Sequence, residues 1–202
     1  MPILYKSEFL NQDVFIWHLT ESEEALQNKI PGDKVPDYNY PPRRKTWLGT
    51  RCLLNEMYAT NPVLKYNEYG KPYLNKPEHI SISHSGNLIA IARGNIKCGV
   101  DLKEFSPTVE RILPKFLNQH ELTWLAAKNN KTDYHHLIWC AKEAIFKVFG
   151  HDIDFKKDIT ICDFNAFKKG EFRAIVSRNS VRCEFKLAYS IMDNYYLVFT
   201  HE

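Results

Sequence analysis

Apolar and polar residues alternate along this chain in two periods, one near two residues and one near 3.6, and the switches between them mark out the elements. Ile3–Tyr5 and Val14–Leu19 are short apolar runs that predict strands. Thr20-Glu-Ser-Glu-Glu24 follows, with Thr20 as N-cap and Glu23 three residues on, a capping-box pattern predicting a helix to about Lys29. The stretch Pro31–Pro42 is rich in turn residues and carries Tyr38 and Tyr40. A second helix is predicted from near Pro42 to about Tyr58, with proline in its first turn. Ile80–Gly86 alternates as a strand and Leu88–Ala92 supplies the second arm of a hairpin. A second unit begins at Cys98, where an apolar strand ends in Asp101. Helical spacing returns at about Val109–Phe116, Asn118–Ala127 and Thr132–Phe149, and strands are predicted near Ile159–Phe164, Phe172–Ser177, Val181–Tyr189 and Tyr195–Thr200. Helices and antiparallel strands mixed within each half predict an α+β fold divided into 1–97 and 98–202.

One helix departs from ordinary amphipathic patterning. Leu137, Ile138, Cys140, Ala141, Ala144, Ile145, Phe146, Val148 and Phe149 leave it almost no polar face, which predicts packing on most sides. Trp139, Glu143 and Lys147 are spaced four apart and share one face. Charges inside such a helix are costly unless partnered. Two readings fit: an internal Glu143–Lys147 pair on a solvated strip, or a site that holds a metal and a phosphate.

The net charge of +3 is small and neither half is strongly basic, so general nucleic-acid binding has little electrostatic support. Five scattered cysteines without CxxC spacing argue for reduced thiols rather than a disulfide framework or a zinc site. The first residues carry no signal-peptide pattern and no apolar run approaches membrane-spanning length. A soluble cytoplasmic protein without a membrane partner is the expectation.

Other candidate groups are weaker alone. Arg43, Arg44 and Lys45 open the second helix, with Arg51 two turns beyond Arg44; they read either as a solvated basic end or as phosphate ligands. Gly70-Lys71-Pro72 fits a turn that brings backbone close to a flat or anionic group. In Ser83-His84-Ser85, neighbours on a strand point apart and no third group is evident, so hydrogen-bond donation to a phosphate is favoured over serine-hydrolase chemistry. Asp101 is either a cap or turn residue or a metal carboxylate on a rigid platform.

Three blocks taken together carry a resemblance: Gly70-Lys71-Pro72 followed by Ile82-Ser83-His84-Ser85; Gly99-Val100-Asp101; and Trp139-Cys-Ala-Lys142-Glu143-Ala-Ile-Phe-Lys147. In this order and spacing, across about residues 43 to 150, the chain resembles the 4′-phosphopantetheinyl transferases of the larger, surfactin-synthetase-activator type. The resemblance implies two similar subdomains related by a pseudo-twofold in a monomer, with coenzyme A bound between them. Residues 1–97 would form the nucleotide side and 98–202 the metal and catalytic side. It implies transfer of the phosphopantetheine arm from coenzyme A to a serine of an acyl or peptidyl carrier protein, releasing adenosine 3′,5′-bisphosphate. Asp101 and Glu143 would hold Mg²⁺, Glu143 would also take the serine proton, and Lys147 would neutralise the α-phosphate. Ser83 and His84 match phosphate and nucleotide contacts, and Gly70, Lys71 and Pro72 an adenine-side turn. Lys45 aligns best with the 3′-phosphate, with Arg44 and Arg51 as alternatives.

One position departs from the pattern. Many relatives carry a metal-binding Glu two residues after the strand Asp, where this chain has Lys103. Glu104, one place on, points by strand alternation to the other face. Either a bulge brings it round or, as is preferred because Mg²⁺ tolerates retained waters, the metal has two protein carboxylates and an extra water. A further option is that Lys103 replaces part of the metal charge. A non-catalytic module that binds coenzyme A or docks carrier protein is the competing reading, and a nuclease-like Mg²⁺ enzyme is disfavoured by the weak charge.

Overall fold

In the computed structural model, which describes residues 3–9, 12–58 and 61–201, two antiparallel sheets lie back to back with helices outside them. The first half contains β1 (Ile3–Phe9), β2 (Gln12–His18), α1 (Glu23–Gln27), α2 (Pro41–Tyr58), β3 (Leu64–Tyr66), β4 (Pro72–Leu74), β5 (His79–Ser85) and β6 (Leu88–Gly94). The second contains β7 (Val100–Glu104), α3 (Pro107–Arg111), α4 (Leu113–Phe116), α5 (Gln119–Leu125), α6 (Lys131–Phe149), β8 (Ile159–Ile161), β9 (Lys169–Arg178), β10 (Val181–Met192) and β11 (Tyr195–Thr200). Strand order is β1-β2-β6-β5 in one sheet and β7-β11-β10-β9-β8 in the other, while β3 and β4 form a separate small ribbon. The α+β expectation holds.

Strand alternation explains the layering. Phe15, Trp17, Ile89 and Ile91 pack under α1 and α2, while their neighbours Val14, Ile16, Leu88, Ala90 and Ala92 turn the other way. There they meet Val100, Leu102, Ala188, Leu197 and Phe199 of the second sheet. The opposite face of that sheet, with Leu187, Tyr189, Tyr196 and Val198, packs under α6. The order through the molecule is therefore helix, sheet, sheet, helix.

The two halves are stitched by a ladder of serines. Ser81, Ser83 and Ser85 sit at alternate positions of β5, and their Oγ atoms accept the backbone N–H groups of Val100, Leu102 and Glu104 at 3.1, 3.1 and 2.8 Å. This satisfies an edge of β7 that would otherwise lie unpaired inside the molecule. The alternation Ile-Ser-Ile-Ser thus serves two partners: Ile80 and Ile82 pack toward α2, and the serines bond to β7.

Several predicted boundaries move, each for a local reason. The N-cap of α1 is Ser22, not Thr20: its hydroxyl accepts the Ala25 N–H at 3.1 Å, and the helix ends at Gln27. The predicted helix over Val109–Phe116 is two helices, because Pro114 has no N–H to give and its ring crowds the carbonyl a turn back. Asn118 and Glu121 form the capping box of α5. β9 and β10 run longer than predicted, joined by Asn179 and Ser180, both at positive φ (49° and 63°), as a two-residue hairpin turn requires. β3 and β4 were not expected, and they bracket the Gly70 turn. Asp101 is the second residue of β7 and does not end it, since pairing with β11 continues to Glu104.

β7 and α6 are in close contact, and Gly99 lies where they meet. A Cβ built there would stand 1.9 Å from the carbonyl oxygen of Ala144, far inside contact distance. Gly99→Ala must push α6 off the sheet and is expected to cost about 1–3 kcal/mol or more, read as a lower denaturation midpoint. An unchanged midpoint would mean that the helix stands further from the sheet.

Candidate active site

β5, β7 and α6 bring Ser83, Asp101, Glu143 and Lys147 to one place. Asp101 projects from β7 toward α6 and is 7% exposed. Its Oδ1 accepts the Ser83 hydroxyl at 2.8 Å and the Lys147 ammonium at 2.7 Å, and Lys147 also donates to the Val100 carbonyl at 2.8 Å. Lys147 therefore pairs with Asp101, and the internal Glu143–Lys147 pair does not form. Ser83 spends its hydrogen bonds orienting Asp101 and accepting from Leu102.

Glu143, one turn before Lys147, accepts no hydrogen bond among the described residues. Burial and the Asp101 charge push its carboxyl up from 4.5 to about 7, against the opposing effects of Lys147 and Lys103. A half-buried carboxylate without a donor, facing a second carboxylate, is a costly arrangement that suits a cation bound between them. Two hard oxygen ligands suit Mg²⁺, which keeps several waters when bound. No third His, Cys or carboxylate completes a cluster among the described residues. Glu104 does not come round: its carboxylate lies against Gly86 beside Tyr195, on the opposite face of β7.

Two cavities lie near this centre, one reaching Lys147 and the other His84. One, of about 140 Å³, is lined by Gly70, Lys71, Pro72, Ser81, Phe146 and Lys147, among others. The Gly70 turn has φ 77° and is held by Asn67, whose Oδ1 accepts the N–H groups of Tyr69 and Lys71. Lys71 reaches across to donate to the Val148 carbonyl at the end of α6 (2.7 Å), and Tyr69 stacks on His151 at 4.1 Å. The Gly70 turn is therefore pinned to the helix that carries Glu143 and Lys147.

The second cavity, about 510 Å³, lies between α2 and β5 and is lined by Tyr38, Arg43, Thr46, Trp47, Thr50, Arg51, Tyr66, Ile82 and His84, with Pro36. His84 is exposed at the cavity wall, where partial desolvation, with Lys147 and Arg43 and against Asp101, lowers its pKa and leaves the ring neutral at neutral pH. Of Lys45, Arg44 and Arg51, the three residues weighed for the 3′-phosphate, Arg51 lines this cavity. Arg44 pairs with Glu23 at 2.7 Å, tying α1 to α2, and Lys45 does not line the cavity. Arg43 and Arg51, two helical turns apart, face it instead, with Arg43 over Tyr38 and Arg51 stacked 3.4 Å above Trp47. Of the two readings of the basic helix end, the cavity-facing position of Arg43 favours the phosphate ligand, and its companions Thr46, Trp47 and Thr50 at i+3, i+4 and i+7 share that face.

Lys142, between the motif's Trp139 and Glu143, faces away from the site. Its ammonium is fully buried and bonds Glu121 and the carbonyls of Phe116, Phe155 and Ile159 at 2.7–3.0 Å.

Fold and site together define an α+β protein with a cleft lined by cations, suited to a multiply phosphorylated ligand, beside a carboxylate pair suited to a divalent ion. The model of the 4′-phosphopantetheinyl transferase superfamily matches residues 97–200, and the chain belongs to that superfamily. It is 35% identical over 131 residues to a 4′-phosphopantetheinyl transferase of Bacillus subtilis, covering 60% of this chain and 58% of that protein. Identity to 4′-phosphopantetheinyl transferase Sfp of Bacillus subtilis strain 168 is 33% over 131 residues, with the same coverage. Against 4′-phosphopantetheinyl transferase gsp of Aneurinibacillus migulanus it is 32% over 92 residues, 45% of this chain and 39% of that protein. The matched region thus spans between 39% and 58% of these relatives' length.

Proposed function

We propose that the protein transfers the 4′-phosphopantetheine arm of coenzyme A to a serine of an acyl or peptidyl carrier protein. The observation that carries this reading is the meeting of Asp101, Glu143 and Lys147 beside a cleft lined by His84, Arg43 and Arg51. In the reaction, the serine oxygen attacks the phosphorus bearing the pantetheine arm. An O–P bond forms, the bridging P–O bond of the diphosphate breaks, and adenosine 3′,5′-bisphosphate leaves with the electron pair. Glu143, lacking any donor, takes the serine proton directly or through water. Lys147 balances charge on the leaving phosphate. Ser83 holds Asp101 in place, and neutral His84 offers a single N–H to a phosphate or ribose oxygen. Asp101 and Glu143 would hold Mg²⁺, which would supply screening of the diphosphate charge.

The reading extends to architecture and setting. Residues 1–97 and 98–202 are pseudo-twofold subdomains of a monomer; an antiparallel sheet backed by one long helix in each half, α2 and α6, supports this. No helix among the described residues is long and apolar enough to cross a membrane and all five cysteines are free, in keeping with a cytoplasmic enzyme.

The test is incubation of purified protein with coenzyme A, Mg²⁺ and an apo carrier protein, followed by mass spectrometry. A gain of one phosphopantetheine arm on the carrier serine is expected. Coenzyme A binding with no mass change would establish the binding-module alternative. Within the site, Arg43→Ala is expected to weaken coenzyme A about tenfold more than its 3′-dephospho form, as loss of a charged phosphate contact does. Lys45→Ala should change both ligands alike; the reverse pattern would move the 3′-phosphate contact to Lys45.

A further inference from the structure

Lys103 has no task in the account above, yet it stands on the active face. Pairing with β11 fixes this: Asp101 lies opposite Val198 and Lys103 opposite Tyr196, and both partners belong to the core under α6. Glu104 lies opposite Tyr195 on the other face. Lys147 gives two of its three donors to Asp101 and the Val100 carbonyl, which leaves one for the leaving phosphate. Lys103 makes no hydrogen bond or ion pair among the described residues, although its charge is near enough to Glu143 to favour that carboxylate. An ammonium therefore occupies the position, two residues from Asp101 on one strand face, from which a further acidic side chain could reach a cation.

The charge balance has a consequence. Asp101 and Glu143 are opposed by Lys147 and Lys103, so the protein's own charges on this face nearly cancel and by themselves attract a divalent cation weakly. A diphosphate reverses that balance, bringing negative charge and oxygen ligands of its own.

We propose that Lys103 binds the diphosphate of coenzyme A directly, so that the substrate enters without a divalent ion and then recruits it. The inference rests on the transfer reading given under the proposed function. Lysine suits this task as a compact, mobile point charge that can follow the diphosphate oxygens.

Two binding measurements on the full chain test it, neither needing turnover. In the absence of coenzyme A, Mn²⁺ affinity is read by electron paramagnetic resonance as a probe of the carboxylate pair. Lys103→Glu is expected to tighten Mn²⁺ by roughly tenfold or more, and Lys103→Met by a smaller factor. In EDTA, coenzyme A affinity is read by calorimetry, and Lys103→Met is expected to weaken it roughly tenfold. Adenosine 3′-phosphate, which has no diphosphate, should bind the wild type and Lys103→Met alike. Affinities for Mn²⁺ and metal-free coenzyme A that stay within about twofold in both variants would overturn the proposal. So would equal weakening of coenzyme A and adenosine 3′-phosphate, which would place the effect away from the diphosphate. If the wild type transfers the arm normally while the variants bind as it does, the Lys103 assignment alone fails. If the wild type binds no coenzyme A with or without metal, the transfer reading fails and takes this assignment with it.

Discussion

Lys142→Met is expected to destabilise the protein by about 3–5 kcal/mol, the usual cost of removing one partner from a buried ion pair. The lysine is completely buried, and its ammonium is the hub of the packing between α6, the end of α4, the start of α5 and the loop before β8. Methionine matches its length but offers no donor, so the carbonyls of Phe116, Phe155 and Ile159 lose a charged partner together. Glu121, also fully buried, would keep only the N–H groups of Asn118 and Ile161. Against a domain stability of about 5–15 kcal/mol, such a loss approaches unfolding. Glu121→Gln on the Lys142→Met background should recover part of it, because the uncompensated charge is removed while the N3 capping contact is retained. Chemical denaturation of the four proteins measures the cycle. A single-variant loss below about 1 kcal/mol would mean that water reaches the pair.

The same helix shows how far local pattern reaches. Its near-absence of a polar face, and the expense of the charges within it, were legible before any coordinates. Their partners were not, because Lys142 bonds residues 13 to 26 positions away and Lys147 bonds Asp101 46 positions away. Period-two alternation likewise placed Glu104 on the face away from Asp101, and the coordinates agree. It could not reveal that the β5 serines accept backbone N–H groups from β7, since that depends on how two sheets are brought together. The short strands β3 and β4 escaped notice for a different reason. Tyr66 and Tyr73 are exposed, Pro72 opens β4, and three residues give no period to read. For the basic start of α2, helix and position were correct, but rotation about the helix axis decided which cations face the cleft. That rotation is set by burial of Leu48, Cys52 and Leu53 and by the Arg44–Glu23 pair.

Glu143→Gln is expected to separate stability from activity, with transfer falling by about 10²–10⁴, the range for loss of a positioned general base. Glutamine keeps the volume and leaves the packing of α6 in place, but it can neither accept the serine proton nor bring a charge to the metal. The folded protein holds the Glu143 proton up to about pH 7, whereas the unfolded chain releases it near 4.5. Between those values the folded state binds more protons, so this group's contribution to stability falls as pH rises through that window. Glutamine removes the dependence, and the variant should gain in stability relative to the wild type as pH rises, read as the difference in denaturation midpoints at pH 5 and pH 8. Binding of Mn²⁺ to the ligand-free wild type should strengthen with pH up to about 7 and then level off, because below that value the ion must displace a proton. A variant that turns over normally would remove Glu143 from the chemistry. One that is inactive and markedly less stable at pH 8 would show instead that the carboxylate holds the fold together.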